Sequence, residues 1–201
     1  MTDGLRVAFG FRPHSGWSAL VTLARSGSDL VILQRRRIEL VDAAWAKQPY
    51  HAAEKLEPRD ARTLVERGVG AAHEAARAAM KALVEAEENK RNRVAGCAVL
   101  VGNPMPGWSV DEILAVHLRR HQAEGVLFRA ALLAAAGNCG VRAIAIPEKE
   151  LEAIAARELK RPINRLRDAV TRLGKSAGPP WGKDQKDAAL AAWVALETHA
   201  A

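Results

Sequence analysis

Two carboxylates near the end of the chain are spaced to share one face of a helix. Asp184 and Asp187 stand three residues apart, so both side chains project from the same side of a helical turn. Mg²⁺ accepts carboxylate oxygens, and either His14 or Asn103 could complete a single weakly held site. A structural role explains the same pair, because Asp184 stands where an N-cap belongs and Asp187 where the helix dipole favours an acid. The sequence allows both interpretations.

Two further groups of side chains could bind a metal. His117 and His121 stand four residues apart on a predicted helix, as zinc ligands do, but no acid or thiol follows at a suitable spacing. This pattern favours surface histidines over a zinc site. Glu124 and Asp111 are acids that could join the two aspartates at a metal site, provided that three oxygen ligands converge on one ion.

The chain is basic, with 30 Lys and Arg residues against 23 Asp and Glu, a formal charge of +7 and an isoelectric point near 9.8. This excess attracts phosphate backbones in a salt-dependent manner, although it also serves to keep a protein in solution. The predicted nucleic-acid contacts are Arg12, His14, Arg35, Arg37 and Lys183. Arg35 and Arg37 share one face of a predicted strand, where a solvated surface explains them as well as phosphate contacts do.

Length and composition limit the classes of protein. With 201 residues, 49% of them hydrophobic, the chain can bury one sizeable core, which predicts a single domain over residues 1–201. It contains no apolar run of about 18 residues and no signal-peptide pattern, so we expect a cytoplasmic protein with no membrane partner. Cys97 and Cys139 are far apart and predict reduced thiols rather than a disulfide or metal framework.

The first half of the chain predicts three strands followed by a long helix. Apolar stretches separated by short turns indicate an antiparallel meander of strands over residues 5–11, 17–25 and 30–41. Residues 42–57 show no clear period and predict an irregular loop. From residue 58 to about residue 90, apolar positions recur at three- and four-residue steps, which predicts an amphipathic helix.

The second half predicts strands alternating with helices. Residues 93–101 and 141–146 are short apolar runs typical of buried strands. Ser109 and Glu112 form a capping box that opens a helix ending at Gly137. Three more helices are predicted over residues 148–159, 163–173 and 184–199, the second of them closed by Gly174.

This order of elements resembles the RNase H-like superfamily, an α/β fold with three antiparallel and two parallel strands (βββαβαβα). Two stretches resemble RuvC-type Holliday-junction resolvases more specifically. Residues 121–137 form a helix rich in small residues that leads into a strand ending at Pro147, and residues 184–196 contain an Asp-x-x-Asp-Ala pattern. The resemblance covers nearly the whole chain.

The resemblance implies a two-metal site whose acids are partly missing here. Such nucleases hold two divalent ions between acids on strand one, strand four and the last helix. The family's Gly-x-Asp-x-Gly pattern falls on residues 10–14, so Arg12 stands in place of the acid, and residues 101–103 offer no acid at strand four. We therefore expect Arg12 to form a bidentate pair with Asp184 or Asp187 and to replace the metals as counter-charge.

The expected function is nucleic-acid binding, to branched or duplex DNA in recombination or repair, without nuclease activity and without a cofactor. One alternative is an active nuclease that uses Mg²⁺ and relocated ligands. Another is a protein-interaction domain that forms a homodimer through Ala-rich helices.

Overall fold

The computed structural model describes residues 4–198, and its centre is one mixed sheet. The strands are β1 (Arg6–His14), β2 (Trp17–Ser26), β3 (Asp29–Glu39), β4 (Arg93–Val101) and β5 (Ala143–Pro147), in the order β3-β2-β1-β4-β5. β1, β2 and β3 pair antiparallel, whereas β1, β4 and β5 are parallel. The predicted fold class is confirmed, as are the meander and the central position of β4.

Helices cover both faces of this sheet. They are α1 (Ala44–Lys47), α2 (Pro49–Ala52), α3 (Pro58–Glu88), α4 (Val110–Leu114), α5 (His117–Asn138), α6 (Leu151–Glu158), α7 (Ile163–Ala177) and α8 (Lys183–Thr198). Ala8 of β1 packs in a core with α6, α7 and α8, while Phe9 and Phe11 pack in a second core with α3 and α5. Successive side chains of a strand point to opposite faces, so a strand buried on both sides is apolar almost throughout. No helix in the described range is long and apolar enough to cross a membrane.

The segment predicted as an irregular loop, residues 42–57, contains the short helices α1 and α2. This prediction was wrong because Pro49 opens α2 at a position that proline favours. Pro49 also packs on Gly68 of α3, where a side-chain carbon would collide with the proline ring. Tertiary packing therefore stabilises helical turns too short to show a period.

The helix predicted from Ser109 to Gly137 is divided into two. The capping box of Ser109 and Glu112 is confirmed at the start of α4, but Val116 is extended and separates α4 from α5. β5 begins at Ala143 and lies at the sheet edge with exposed alanines, so the prediction of a buried strand from residue 141 was wrong. No strand covers β5 on its outer side within residues 4–198.

Boundaries near the C-terminus also differ from the predictions. A 3-10 turn, Glu148–Glu150, precedes α6 in place of the first helical residues. α7 continues past Gly174 to Ala177, so this glycine does not end the helix. Its lack of a side chain leaves room for the ring of Trp181. The predicted end of the last helix, about His199, lies outside the described residues.

Candidate functional site

A glycine brings the last helix against the first strand. A side-chain carbon on Gly10 would overlap the backbone of Ala188 and Ala192, so α8 lies directly on β1. Small residues on α8 are buried in this contact and permit the close approach. The first turn of α8 consequently stands beside the carboxyl end of β1, where Arg12 is located.

Arg12 lies among three carboxylates. Its Nε is 2.9 Å from Oδ1 of Asp184, its Nη1 contacts Oδ2 of Asp187, and its Nη2 is 3.6 Å from Oε2 of Glu148. The predicted position of Arg12 against the aspartates is confirmed, although it bridges several carboxylates and forms no bidentate pair with one. The N-cap prediction for Asp184 was wrong, because α8 begins one residue earlier, at Lys183.

Two further cations complete this group. Arg129 of α5 places Nη2 at 2.7 Å from Oε1 of Glu148, and Lys183 places Nζ at 2.6 Å from Oδ2 of Asp187. We call these six residues the charge cluster: Arg12, Arg129, Glu148, Lys183, Asp184 and Asp187. Its three positive and three negative side chains balance. The Arg12 side chain is 13% exposed, so its charge is only partly screened by solvent.

Aromatic stacking extends the site toward β2 and β3. His14 Nε2 lies 3.2 Å from Oδ2 of Asp184, and the His14 ring stacks on Trp17 with centroids 4.1 Å apart. The guanidinium of Arg37 lies 3.9 Å from the centroid of the Trp17 ring. Burial lowers the pKa of His14, and the charges of Arg12 and Arg129 lower it further against the opposing effect of Asp184. Burial therefore favours the uncharged form of the His14 ring.

The five residues predicted to contact nucleic acid lie around this one end of the sheet. Arg12, His14 and Lys183 meet at the aspartates, and Arg37 joins them through Trp17. Arg35 donates to the carbonyl oxygens of Pro180 and Pro179 at 2.8 and 3.1 Å, which ties β3 to the segment before α8. The side chains of Lys183 and Arg37 are 73% and 51% exposed and can reach a ligand in solvent.

A pair of Mg²⁺ ions does not fit the charge cluster. The Arg12 guanidinium lies at the carboxylates that would have to bind the ions, and Lys183 and Arg129 also contact these acids. At the end of β4 the chain offers Gly102 and Asn103, which line an open hollow of about 300 Å³ together with Glu148. The positive charge beside these carboxylates is supplied by side chains of the chain itself.

The acids proposed as relocated ligands are engaged elsewhere. Glu124 accepts hydrogen bonds from the backbone of Tyr50 and His51, and Asp111 accepts one from Arg62. Neither contacts the aspartates of α8 in the described structure. The third carboxylate, Glu148, was missed by the sequence interpretation. Its position directly after β5 is a usable signal, because parallel strands bring their carboxyl ends to one edge.

Comparison with known proteins identifies the fold of this chain through solved structures. No protein-family model matches the sequence, and no curated protein matches it significantly. Thermus thermophilus RuvC in complex with a Holliday junction substrate matches with a TM-score of 0.51 and 16% identity, over 94% of this chain and 91% of that chain. This chain has an RNase H-like fold and resembles RuvC.

Two other solved structures match at lower scores. A structure of Thermus thermophilus RuvC gives a TM-score of 0.48 and 15% identity, over 94% of this chain and 92% of that chain. The yeast mitochondrial Holliday junction resolvase gives a TM-score of 0.41 and 12% identity, over 96% of this chain and 80% of that chain.

Proposed function

We propose that this protein binds nucleic acid, with branched DNA as the preferred form, and does not cleave it. The observation that carries the proposal is the position of Arg12, whose guanidinium contacts the carboxylates of α8. The fold supports the choice of ligand, because the RuvC of Thermus thermophilus with the same fold is bound to a Holliday junction substrate. The cytoplasmic location stays a prediction.

The charge of Arg12 supports the proposed absence of cleavage. Two-metal hydrolysis needs ions that activate water and stabilise the leaving oxygen. A guanidinium is always charged in proteins, so it is a permanent competitor for the acids. A divalent ion would have to displace Arg12 and Lys183 from Asp187 before it could bind there.

Binding would rely on phosphate contacts around the charge cluster. The side chains of Lys183 and Arg37 are exposed to solvent, and the formal charge of +7 attracts a polyanion. Contacts to phosphates position a nucleic acid but carry no base information. We therefore expect a preference for the shape of the DNA and a strong dependence on salt.

The test compares a four-way junction with a linear duplex of equal length by fluorescence anisotropy, in EDTA and in Mg²⁺. We expect tighter binding to the junction, equal affinity in both buffers, and intact strands on a denaturing gel. Combining Lys183→Ala with Arg37→Ala should weaken binding and lower the slope of log K against log salt by about 2, roughly 1 for each lost phosphate contact.

The matched control is Arg77→Ala, an exposed arginine on α3, which covers the other face of the sheet. Its affinity and salt slope should equal those of the natural protein. Failure to bind either DNA at low salt would reject the proposal. Strand cleavage that requires Mg²⁺ would replace it with the active-nuclease alternative.

An apolar groove favours self-association as a second role. Val126, Ala130 and Leu133 of α5 line a groove of about 390 Å³ together with Met105 and Ala145. We propose that a second copy of the chain packs on these small and apolar side chains, as the predicted homodimer requires. Light scattering should give twice the mass of one chain, and Ala130→Glu should give a single chain.

A further inference from the structure

Three histidines from two helices meet away from the charge cluster. His51 belongs to α2, and His117 and His121 lie in the first turns of α5. One ring nitrogen of each lies within 4.8 Å of the others, and the Nε2 atoms of His117 and His121 are 2.9 Å apart. The sequence pointed to surface histidines because no third ligand follows His121. The structure supplies this third imidazole from earlier in the chain.

A buried carboxylate stands behind one of these histidines. Oε1 of Glu124 lies 3.4 Å from Nδ1 of His51 and accepts hydrogen bonds from the backbone N–H groups of Tyr50 and His51 at 2.8 and 3.1 Å. The Glu124 side chain is only 5% exposed. A carboxylate that accepts from one ring nitrogen fixes the tautomer and leaves the other nitrogen free for a metal.

The other ring nitrogen of His51, Nε2, also points to a ligand site. Nε2 of His51 is buried and has no hydrogen-bond partner among residues 4–198. Burying a polar nitrogen without a partner costs free energy, and natural structures seldom leave such a group unsatisfied. A bound cation would satisfy it.

We propose that His51, His117 and His121 bind Zn²⁺, with a water molecule as the fourth ligand and Glu124 orienting His51. Imidazole nitrogens suit late transition metals, and three of them with one open position form a recognised zinc geometry. Tetrahedral Zn–N bonds of about 2.0–2.1 Å place the nitrogens about 3.3 Å apart. The present spacing reaches this value by small rotations of His117 and His121, which are exposed.

Arg120 brings a positive charge close to the site. Its Nη2 lies 3.3 Å from Nδ1 of His117, but the same guanidinium also contacts the Leu114 carbonyl at 2.7 Å and Glu54 at 2.5 Å. Binding of zinc at Nε2 of His117 places a proton on Nδ1, so the contact with Arg120 must open. Arg120 keeps its contacts with the Leu114 carbonyl and with Glu54, whose carboxylate offsets its charge.

The experiment uses the full chain after treatment with EDTA, titrated with Zn²⁺ in a calorimeter. We expect one equivalent per chain, and Co²⁺ in place of Zn²⁺ should give the intense visible absorption of a tetrahedral site. His121→Asn should abolish saturable binding. Glu124→Gln, which keeps an acceptor oxygen, should weaken binding by about 10–100-fold, as loss of an orienting carboxylate does elsewhere.

His73→Asn is the control, since His73 lies on α3 outside the histidine cluster and should not affect zinc binding. Circular dichroism checks that each variant is folded. If His121→Asn does not fold, His117→Asn tests the same site at a second exposed position. No zinc uptake by the natural chain would overturn the proposal, as would unchanged uptake by a folded His121→Asn. The outcome is independent of whether the protein binds DNA.

Discussion

The charge cluster and the histidine cluster both gather side chains that bind metals in proteins, but they differ in the source of positive charge. In the charge cluster, Arg12, Arg129 and Lys183 neutralise the carboxylates within the chain. In the histidine cluster, three imidazoles face one another, and the buried His51 Nε2 has no partner in the described chain. An arginine therefore lies where the sequence resemblance predicted metal ions, while three imidazoles meet at a position for which the resemblance predicted none.

The largest expected effect comes from moving α8 away from β1, which would separate the carboxylates of the charge cluster from Arg12. Gly10→Ala places a carbon against the backbone of Ala188 and Ala192, which cannot retreat without shifting the helix. Overpacking of this kind costs about 3 kcal/mol of unfolding free energy, and the acids of α8 should part from Arg12. Urea unfolding measures the loss.

The control for this substitution is Gly70→Ala on α3, where an added carbon meets no atom within 4 Å. Because glycine is unfavourable inside an exposed helix, this change should stabilise the protein by about 0.5–1 kcal/mol. A similar small gain for Gly10→Ala would show that α8 does not lie on β1 as described.

Removing the internal cation tests the charge cluster itself. Arg12→Ala leaves Asp184, Asp187 and Glu148 facing one another, which should cost about 2–3 kcal/mol of unfolding free energy at pH 7. Arg12→Asp adds a fourth carboxylate and should create saturable Mn²⁺ binding measured by calorimetry, because four hard oxygen ligands then face only two cations, Arg129 and Lys183.

Arg167→Ala provides the comparison for Arg12→Ala, since Arg167 forms an exposed ion pair with Glu152. Exposed pairs contribute about 0.2–1 kcal/mol, so this variant should remain close to the natural protein in stability. Equal stability of the two alanine variants, or no Mn²⁺ binding by Arg12→Asp, would contradict the role assigned to Arg12.

The sequence could predict the pair of Arg12 with the aspartates because both ends of the contact lie in recognisable elements. Arg12 lies near the carboxyl end of the first strand and Asp184 lies in the first turn of the last helix, and the fold brings these together. Arg129 could not be predicted, since α5 is rich in small residues along its length and its sequence does not fix which side faces the sheet. His51 could not be predicted either, because α2 is a single turn positioned by packing of Pro49 on Gly68.

The smallest expected effect is a pH dependence of the unfolding free energy that arises beside the histidine cluster. Burial raises the pKa of Glu124 to about 7, against an ordinary value near 4.5. Between these values the folded protein holds a proton that the unfolded chain has released, so this group makes the unfolding free energy fall as pH rises from about 4.5 to about 7. Above pH 7 the effect is constant.

Glu124→Gln removes this titration but keeps an oxygen that can accept from the backbone of Tyr50 and His51. Without metal, the unfolding free energy of the natural protein should therefore fall relative to that of the variant between pH 5 and pH 8. Urea unfolding at both pH values measures the difference. With zinc at pH 8, the natural protein should instead become more stable than the variant. Zinc binding favours the ionised carboxylate behind His51 and stabilises only the folded chain. A pH-independent difference between the two proteins would mean that Glu124 ionises as readily in the folded state as in the unfolded chain, and its function as the buried partner of His51 would have to be abandoned.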